Sequence, residues 1–203
     1  MSATPIQKQR SKELIEATWA VVARVGVDNA TVREIAREAG CTTGALWHHF
    51  RNRDDLIGQA IDQLAVDFFD EAEREWQAVP PGVARLRVLV RRLAPHEPHQ
   101  RDRAVVLFRL WSRASEHVPT ALVLRAHHRR IFELVAGFIE EAKRCGEIAN
   151  DVDPSILAGI LMALGDGLCV SRVLMLGDGA NEPDASVDAV LERFAADANR
   201  SDR

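Results

Sequence analysis

The stretch TTGALWHHF, residues 42–50, gathers side chains that can hydrogen-bond yet carry no negative charge: two hydroxyls, an indole and two imidazoles. No aspartate or glutamate occurs from Ala39 to Arg53. Hydroxyls and ring N–H groups bond phosphate oxygens and base edges, and small apolar groups such as Ala45 and the threonine methyls can touch a thymine methyl. Gly44 and Ala45 add little bulk, so a helix beginning here can approach a groove closely. A carboxylate on this surface would face the phosphate backbone, which accounts for its absence. Taken singly, each residue has an ordinary reading, since a lone histidine is usually a surface or satisfied core residue. The combination carries the chemistry: Thr42, Thr43, Gly44, Ala45, Trp47, His48 and His49 point outward, while Leu46 and Phe50 point inward and lock the segment to its neighbours. Arg53, just beyond, adds a positive charge at the start of the next helix, whose amides also suit an anion.

Positioning such a segment takes helices, and the apolar periodicity is helical almost throughout, with no two-residue alternation. A first helix is expected over about Lys8–Val25, with Leu14, Ile15, Trp19, Val22 and Val25 as its buried stripe and Gly26 as its left-handed stop. In TVREIAREAG, Thr31 and Glu34 have capping-box spacing, and Val32, Ile35, Ala36 and Ala39 face inward. Gly40 sits in a tight AGCT turn, Thr42 can cap a short helix over about 43–49, and Asn52 can cap a fourth from Arg53, with Asp54 and Asp55 in its first turn. Two short helices about a glycine turn, preceded by a longer one, is the layout of a helix-turn-helix. Downstream, AVPPG at 78–82 and APHEPH at 94–99 break the pattern. Further helices are expected over about 101–117, from Pro119 to Arg144, from Pro154 to about residue 176, and over about 185–198.

The totals fit this layout. The chain has 203 residues, 47% of them apolar, and a net charge of −4. The charge is unevenly placed: residues 1–53 carry a net +3, which leaves −7 on the remainder. A basic N-terminal module on an acidic body points to a polyanion partner at one end. Three widely spaced cysteines, Cys41, Cys145 and Cys169, form no CxxC pair, which suits a reducing cytosol better than disulfides or zinc. The N-terminus lacks a signal-peptide pattern, so a cytoplasmic location is expected. Ile156–Leu176 is long and apolar enough to test as a membrane span, but Asp166, Arg172 and several glycines favour a buried interface helix and no membrane partner.

Residues of about 8–68, and above all ATVREIAREAGCTTGALWHHFRNRDDLI, resemble the DNA-binding domain of the TetR (tetracycline-repressor) family of bacterial transcription regulators. The family pattern is an aromatic-rich LYxHF followed by a basic, twice acidic, leucine helix start; this chain has LWHHF and RNRDDL. The resemblance implies an all-α protein with a three-helix head over 8–68 and a helical effector-binding and dimerisation domain over 69–203. It implies Thr31 and Arg33 near DNA, a recognition helix from Thr42 to His49, and a phosphate contact from Arg53. Trp47 departs from the pattern: it replaces the usual tyrosine, so the phenol that bonds phosphate is missing, and indole Nε1–H could substitute as a donor with a different reach.

For the rest of the chain, Gly137, Gly159, Ala163 and Gly167 among large aliphatics on two long helices fit close helix packing in a homodimer, whose two heads would read a palindromic double-stranded operator. The stretch GEIANDVDPSILAGILMALGDGL is similar to the C-terminal pattern of a TetR subgroup that includes choline-responsive repressors. Leu107, Phe108, Trp111, His128, Phe132, Met162 and Asp166 are candidates to line a pocket for a small, mainly apolar effector, although aromatics and methionine at helical spacing are more often plain core. Asp166 stands out, because a carboxylate within an apolar helix needs a partner: a residue across the dimer, a local helix break, or a cationic ligand. His96 and His99, framed by prolines, read as a surface loop rather than a metal site. No nucleophile–base–acid constellation, phosphate loop or HExxH is evident, so neither an enzyme nor a cofactor is expected. The expected function is a ligand-released, sequence-specific repressor. The rivals are an activator or ligand-independent regulator on the same fold, and a helical ligand carrier or enzyme.

Overall fold

A computed structural model of the chain describes residues 5–93, 101–174 and 183–196. The described residues form α1 (Pro5–Val25), α2 (Val32–Glu38), α3 (Thr43–Trp47), α4 (Arg53–Gln77), α5 (Val83–Leu93), α6 (Arg101–Ala114), α7 (Val118–Arg144), α8 (Pro154–Leu174) and α9 (Pro183–Arg193). They contain no strand, only an isolated antiparallel bridge between Ile148 and Ala195. The fold is all-α, as expected. His96 and His99 lie outside the described residues. The backbone contacts divide the chain into two compact units, residues 1–68 with 105–127, and residues 69–104 with 128–203.

The first unit holds the helix-turn-helix. Gly26 (φ 88°) ends α1, and its amide bonds the Val22 carbonyl at 2.8 Å. Gly40 (φ 62°) turns the chain between α2 and α3 in a backbone conformation that strains other residues. Leu14, Val21, Val22, Ile35, Leu46, Phe50, Leu56, Ile57 and Ile61 form one core, which Val106 and Leu110 of α6 complete. Trp19 and Val25, placed on the buried stripe from sequence, are only partly buried and pack against this core. Thr18 was not anticipated inside it; its buried hydroxyl donates to the Leu14 carbonyl at 2.7 Å, which satisfies it locally.

Residues 105–127 join the head for a definite reason. Arg109 Nη1 donates to the Val22 and Ala23 carbonyls at 2.7 and 3.0 Å, in the last turn of α1, so that the Val22 oxygen accepts a second bond beside that from the Gly26 amide. Arg113 pairs with Asp28 and, at 3.5 Å, with Asp54. His127 Nε2 lies 2.8 Å from Asp62.

In the second unit, Leu86, Leu89 and Val90 of α5 are buried, as are Val135 and Ile139 of α7, Leu157 and Leu161 of α8, and Val187 and Leu191 of α9. Gly165 lets α5 and α8 touch: a Cβ there would lie 2.7 Å from Leu93 Cβ. The start of α5 is tied down by Glu141, which accepts from the Gly82 amide at 3.0 Å and from Arg85 at 3.1 Å, and by Glu147, which accepts from the Val83 amide at 2.8 Å. Residues Pro154–Ser171 of α8 are long and apolar enough to cross a membrane by length and composition, and 33% of that window is buried. Its uncovered face carries Ile156, Gly159, Ile160, Ala163 and Gly167.

Candidate nucleic-acid interface

The recognition segment is built from local caps upward. Thr31 forms the expected capping box: its hydroxyl accepts from the Glu34 amide at 3.2 Å, and Glu34 accepts from the Thr31 amide at 3.2 Å. These bonds to Thr31, with its hydroxyl first, hold the Glu34 carboxyl below its ordinary range. Thr42 caps α3 by accepting from the Ala45 amide at 3.1 Å, so that hydroxyl already has a structural use. The helix is shorter than expected. Regular structure stops at Trp47, and His48 and His49 continue in a tight turn, bonding the carbonyls of Ala45 and Leu46. Asn52 caps α4 through the Asp55 amide at 2.8 Å, and Asp55 returns the favour to the Arg51 amide at 2.8 Å, which lowers the Asp55 pKa.

Leu46 and Phe50 are buried at 0% and 2% exposure. Burying each contributes about 1.5–3 kcal/mol and fixes which face of α3 turns outward. On that outward face Thr43, Gly44, Ala45, Trp47 and His48 are exposed, and His49 is half-buried. Thr31 and Arg33 are exposed on α2. Together with Glu34, Ala36, Arg37, Cys41 and Thr43 they line an open groove of about 570 Å³ between α2 and the start of α3, whose one carboxylate, Glu34, is engaged by Thr31. Arg53 has a role that the sequence did not signal. Its guanidinium donates to three carbonyls of the loop between α1 and α2: Val27, Asp28 at 3.2 Å and Ala30 at 3.3 Å. Those bonds use Nε and Nη2, so Nη1 is what Arg53 has left to offer a phosphate.

The seven candidate effector residues fall in both units: Leu107, Phe108 and Trp111 in the first, His128, Phe132, Met162 and Asp166 in the second. The structure brings one pair of them together. His128 Nε2 lies 3.5 Å from Asp166, so the carboxylate within α8 has its partner on α7 of the same chain. The hydrogen bond to Asp166 raises the His128 pKa. Met162, at 3% exposure, belongs to the core. A second open groove, about 610 Å³, lies between the α7–α8 loop and the end of α9, and none of the seven lines it.

A small all-α head that turns outward an acid-free helix face of hydroxyls and ring N–H groups has the chemistry of a nucleic-acid-reading module. Residues 14–60 match the family described as bacterial regulatory proteins, tetR family, and residues 82–198 match the BetI-type transcriptional repressor, C-terminal. The chain belongs to the TetR family of bacterial regulators, in its BetI-type branch, and is a DNA-binding transcriptional regulator. It is 28% identical over 172 residues to the HTH-type transcriptional regulator PksA of Bacillus subtilis, a match covering 82% of this chain and 80% of that protein. It is 34% identical over 83 residues to the HTH-type transcriptional regulator BetI of Escherichia coli, covering 41% of this chain and 43% of that one. In fold it is similar to a TetR regulator from Haloarcula marismortui, with TM-score 0.83, 21% identity, and coverage of 93% of this chain and 99% of the other. A transcriptional regulator from Saccharomonospora viridis, solved in complex with choline, gives TM-score 0.76 at 24% identity over 92% of this chain and 93% of that one.

Proposed function

We propose that the chain acts as a homodimeric repressor that binds a palindromic double-stranded operator and is released by a small molecule. The observation carrying this reading is the outward face of residues 42–50, free of acids and seated on buried Leu46 and Phe50. Thr31, Arg33, Thr42, Thr43, Gly44, Ala45, Trp47, His48 and His49 are the proposed DNA contacts. Arg53 contributes through Nη1 and through the loop it holds. Residues 8–68 form the reading head and 69–203 serve effector binding and dimerisation.

The uncovered apolar face of α8 supports the dimer. Ile156, Gly159, Ile160, Ala163 and Gly167 leave room for close packing of a helix from a second copy. Two heads then engage half-sites one or more DNA turns apart. The effector acts by favouring a head spacing that no longer fits successive major grooves, which requires different affinities for the two states. Within the second unit, His128, Phe132 and Asp166 are its proposed contacts, and the half-exposed Asp166 carboxylate extends the candidates from apolar molecules to small organic cations such as choline.

Selection from random duplexes at two salt concentrations tests the reading. A palindromic consensus whose affinity falls with salt is expected. Enrichment of a single half-site would remove the dimer, and absence of any salt-dependent binding would remove the DNA-reading function.

A further inference from the structure

The end of the recognition segment is held by a contact from far away in the chain. His49 Nδ1 lies 3.1 Å from the Ser11 hydroxyl oxygen on α1, 38 positions earlier. His49 Nε2 has no hydrogen-bond partner among the described residues. We propose that Ser11 is a positioning residue for DNA binding, holding the His49 ring so that Nε2–H faces a backbone phosphate. The inference rests on residues 42–50 being the DNA reader.

The chemistry of the pair explains why a hydroxyl suits this place. A neutral imidazole has one N–H and one lone pair, and the partner of one nitrogen decides what the other presents. When Ser11 donates to Nδ1, the proton must sit on Nε2. When the ring is protonated, Nδ1–H donates to Ser11 Oγ, and Nε2 again carries a proton. A serine serves both states because it both donates and accepts. A carboxylate in its place would favour only the cation and would set a negative charge beside the phosphates.

Neighbouring contacts make the arrangement rigid. Arg10, adjacent to Ser11, donates from Nη2 to the Ala39 carbonyl at 3.3 Å, 29 positions away, just past the end of α2. Consecutive residues of α1 therefore hold the ends of both helices of the motif. The Phe50 ring lies beside His49, centroid to centroid 6.3 Å, tilted 44°, and Phe50 itself is buried. The ring is thus fixed in position, which reduces the ordering cost of its phosphate contact, and its tautomer is the point on which the proposal is tested.

The test combines a spectrum with a binding cycle on the full-length chain. Ring nitrogen shifts of His49 at pH 8, measured without DNA, are expected to report the Nε2–H tautomer in the wild type and a mixture in Ser11→Ala. On the selected operator, Ser11→Ala is expected to weaken binding about threefold to tenfold, the loss of one hydrogen bond's worth of ordering. Ser11→Thr should restore it, and the double variant Ser11→Ala/His49→Ala should bind no more weakly than His49→Ala alone. Thermal melts of each variant separate a binding loss from unfolding. A wild-type Nδ1–H tautomer, or an equal loss from Ser11→Ala when His49 is already alanine, overturns the proposal. Failure of the wild type to bind DNA overturns the underlying reading instead, and is told apart because the tautomer is read without DNA.

Discussion

The proposed DNA-reading surface and the second unit, proposed to bind the effector, solve different positioning problems. On the reading surface the exposed groups sit on a short helix whose geometry is fixed by caps three residues apart, Thr31 with Glu34, Thr42 with Ala45, and Asn52 with Asp55. The second unit is held by partners far apart in the chain: Arg85 with Glu141 across 56 positions, Arg87 with Asp188 across 101. A reader of DNA must offer the same rigid face every time. A body that responds to a ligand, as proposed for the second unit, needs interactions that a small molecule can outweigh. The difference shows in titration as well: the head's shifted acids, Glu13, Glu34 and Asp55, are carboxylates held ionised, whereas among the described residues of the second unit the shifted group is a half-exposed histidine.

The largest expected effect comes from removing the floor of the reading face. Leu46→Ala leaves a cavity under α3 and is expected to cost about 2–5 kcal/mol. Operator binding should vanish, and the melting temperature should fall. Retained sequence-specific binding would mean that α3 does not depend on this residue for its orientation. The counterpart in the second unit is Gly165→Ala, whose new Cβ would meet Leu93 Cβ at 2.7 Å. Overpacking of this kind costs about 1–3 kcal/mol. An unchanged melt would mean that α5 and α8 separate more easily than the close approach implies.

Arg53 marks the boundary of what sequence reasoning could reach. Its position at a helix start beside an acid-free segment suggested a phosphate ligand. Its bonds to Val27, Asp28 and Ala30, 23 to 26 positions away, have no periodic or local signature. Arg53→Ala is expected to cost about 1–2 kcal/mol of stability, the lower part of the range for charged hydrogen bonds because the side chain is half-exposed. DNA affinity should fall for all sequences alike. A drop in the salt slope of about one unit with no change in the melt would return Arg53 to the role of pure phosphate ligand.

The same contrast explains the other agreements and misses. The capping box, the Thr42 and Asn52 caps, the stops at Gly26 and Gly40, and the inward turn of Leu46 and Phe50 are all legible because each depends on residues within one or two turns. The attachment of residues 105–127 to the head depends on Arg109 and Arg113 reaching carbonyls and acids about 60 to 90 positions away, and nothing in α6 announces it. Helix α5 lies between two proline-containing breaks, and its tethers to Glu141 and Glu147 are equally remote. The Asp166 carboxylate was recognisable as needing a partner, but not that the partner would be His128, because adjacent histidines at 127 and 128 look alike in sequence. The fold brings His127 to Asp62 and His128 to Asp166.

A smaller effect separates structural from reading threonines. Thr31→Ala removes the capping box and is expected to cost about 0.5–2 kcal/mol. Thr43, first in α3 and exposed, has no hydrogen bond from its side chain among the described residues. Thr43→Ala should leave the melt within about 0.5 kcal/mol of wild type while changing the preferred bases in a selection. Unchanged preference would remove Thr43 from the base-reading set and leave the exposed rings of Trp47 and His48 as the readers.

The smallest effect is the one that titrates. The hydrogen bond to Asp166 raises the His128 pKa in the folded chain above its unfolded value of about 6.5. A raised pKa means that the folded state binds the proton more tightly, so the stabilisation is fully present below pH of about 6.5 and is lost as pH rises through the higher folded value. His128→Gln removes this dependence. The wild type should therefore exceed the variant in melting temperature by more at pH 6 than at pH 8.5, and the gap should narrow with added salt because both side chains are about half exposed. The head behaves oppositely: Glu34 and Asp55 are depressed, so their contribution is present above the unfolded carboxylate range and is lost only as pH falls below it. A gap that does not change between pH 6 and 8.5 would show that the pair at 3.5 Å is neutral in solution. It would also leave Asp166 open to an outside cation, since a carboxylate not engaged by imidazolium is the group such an effector would meet.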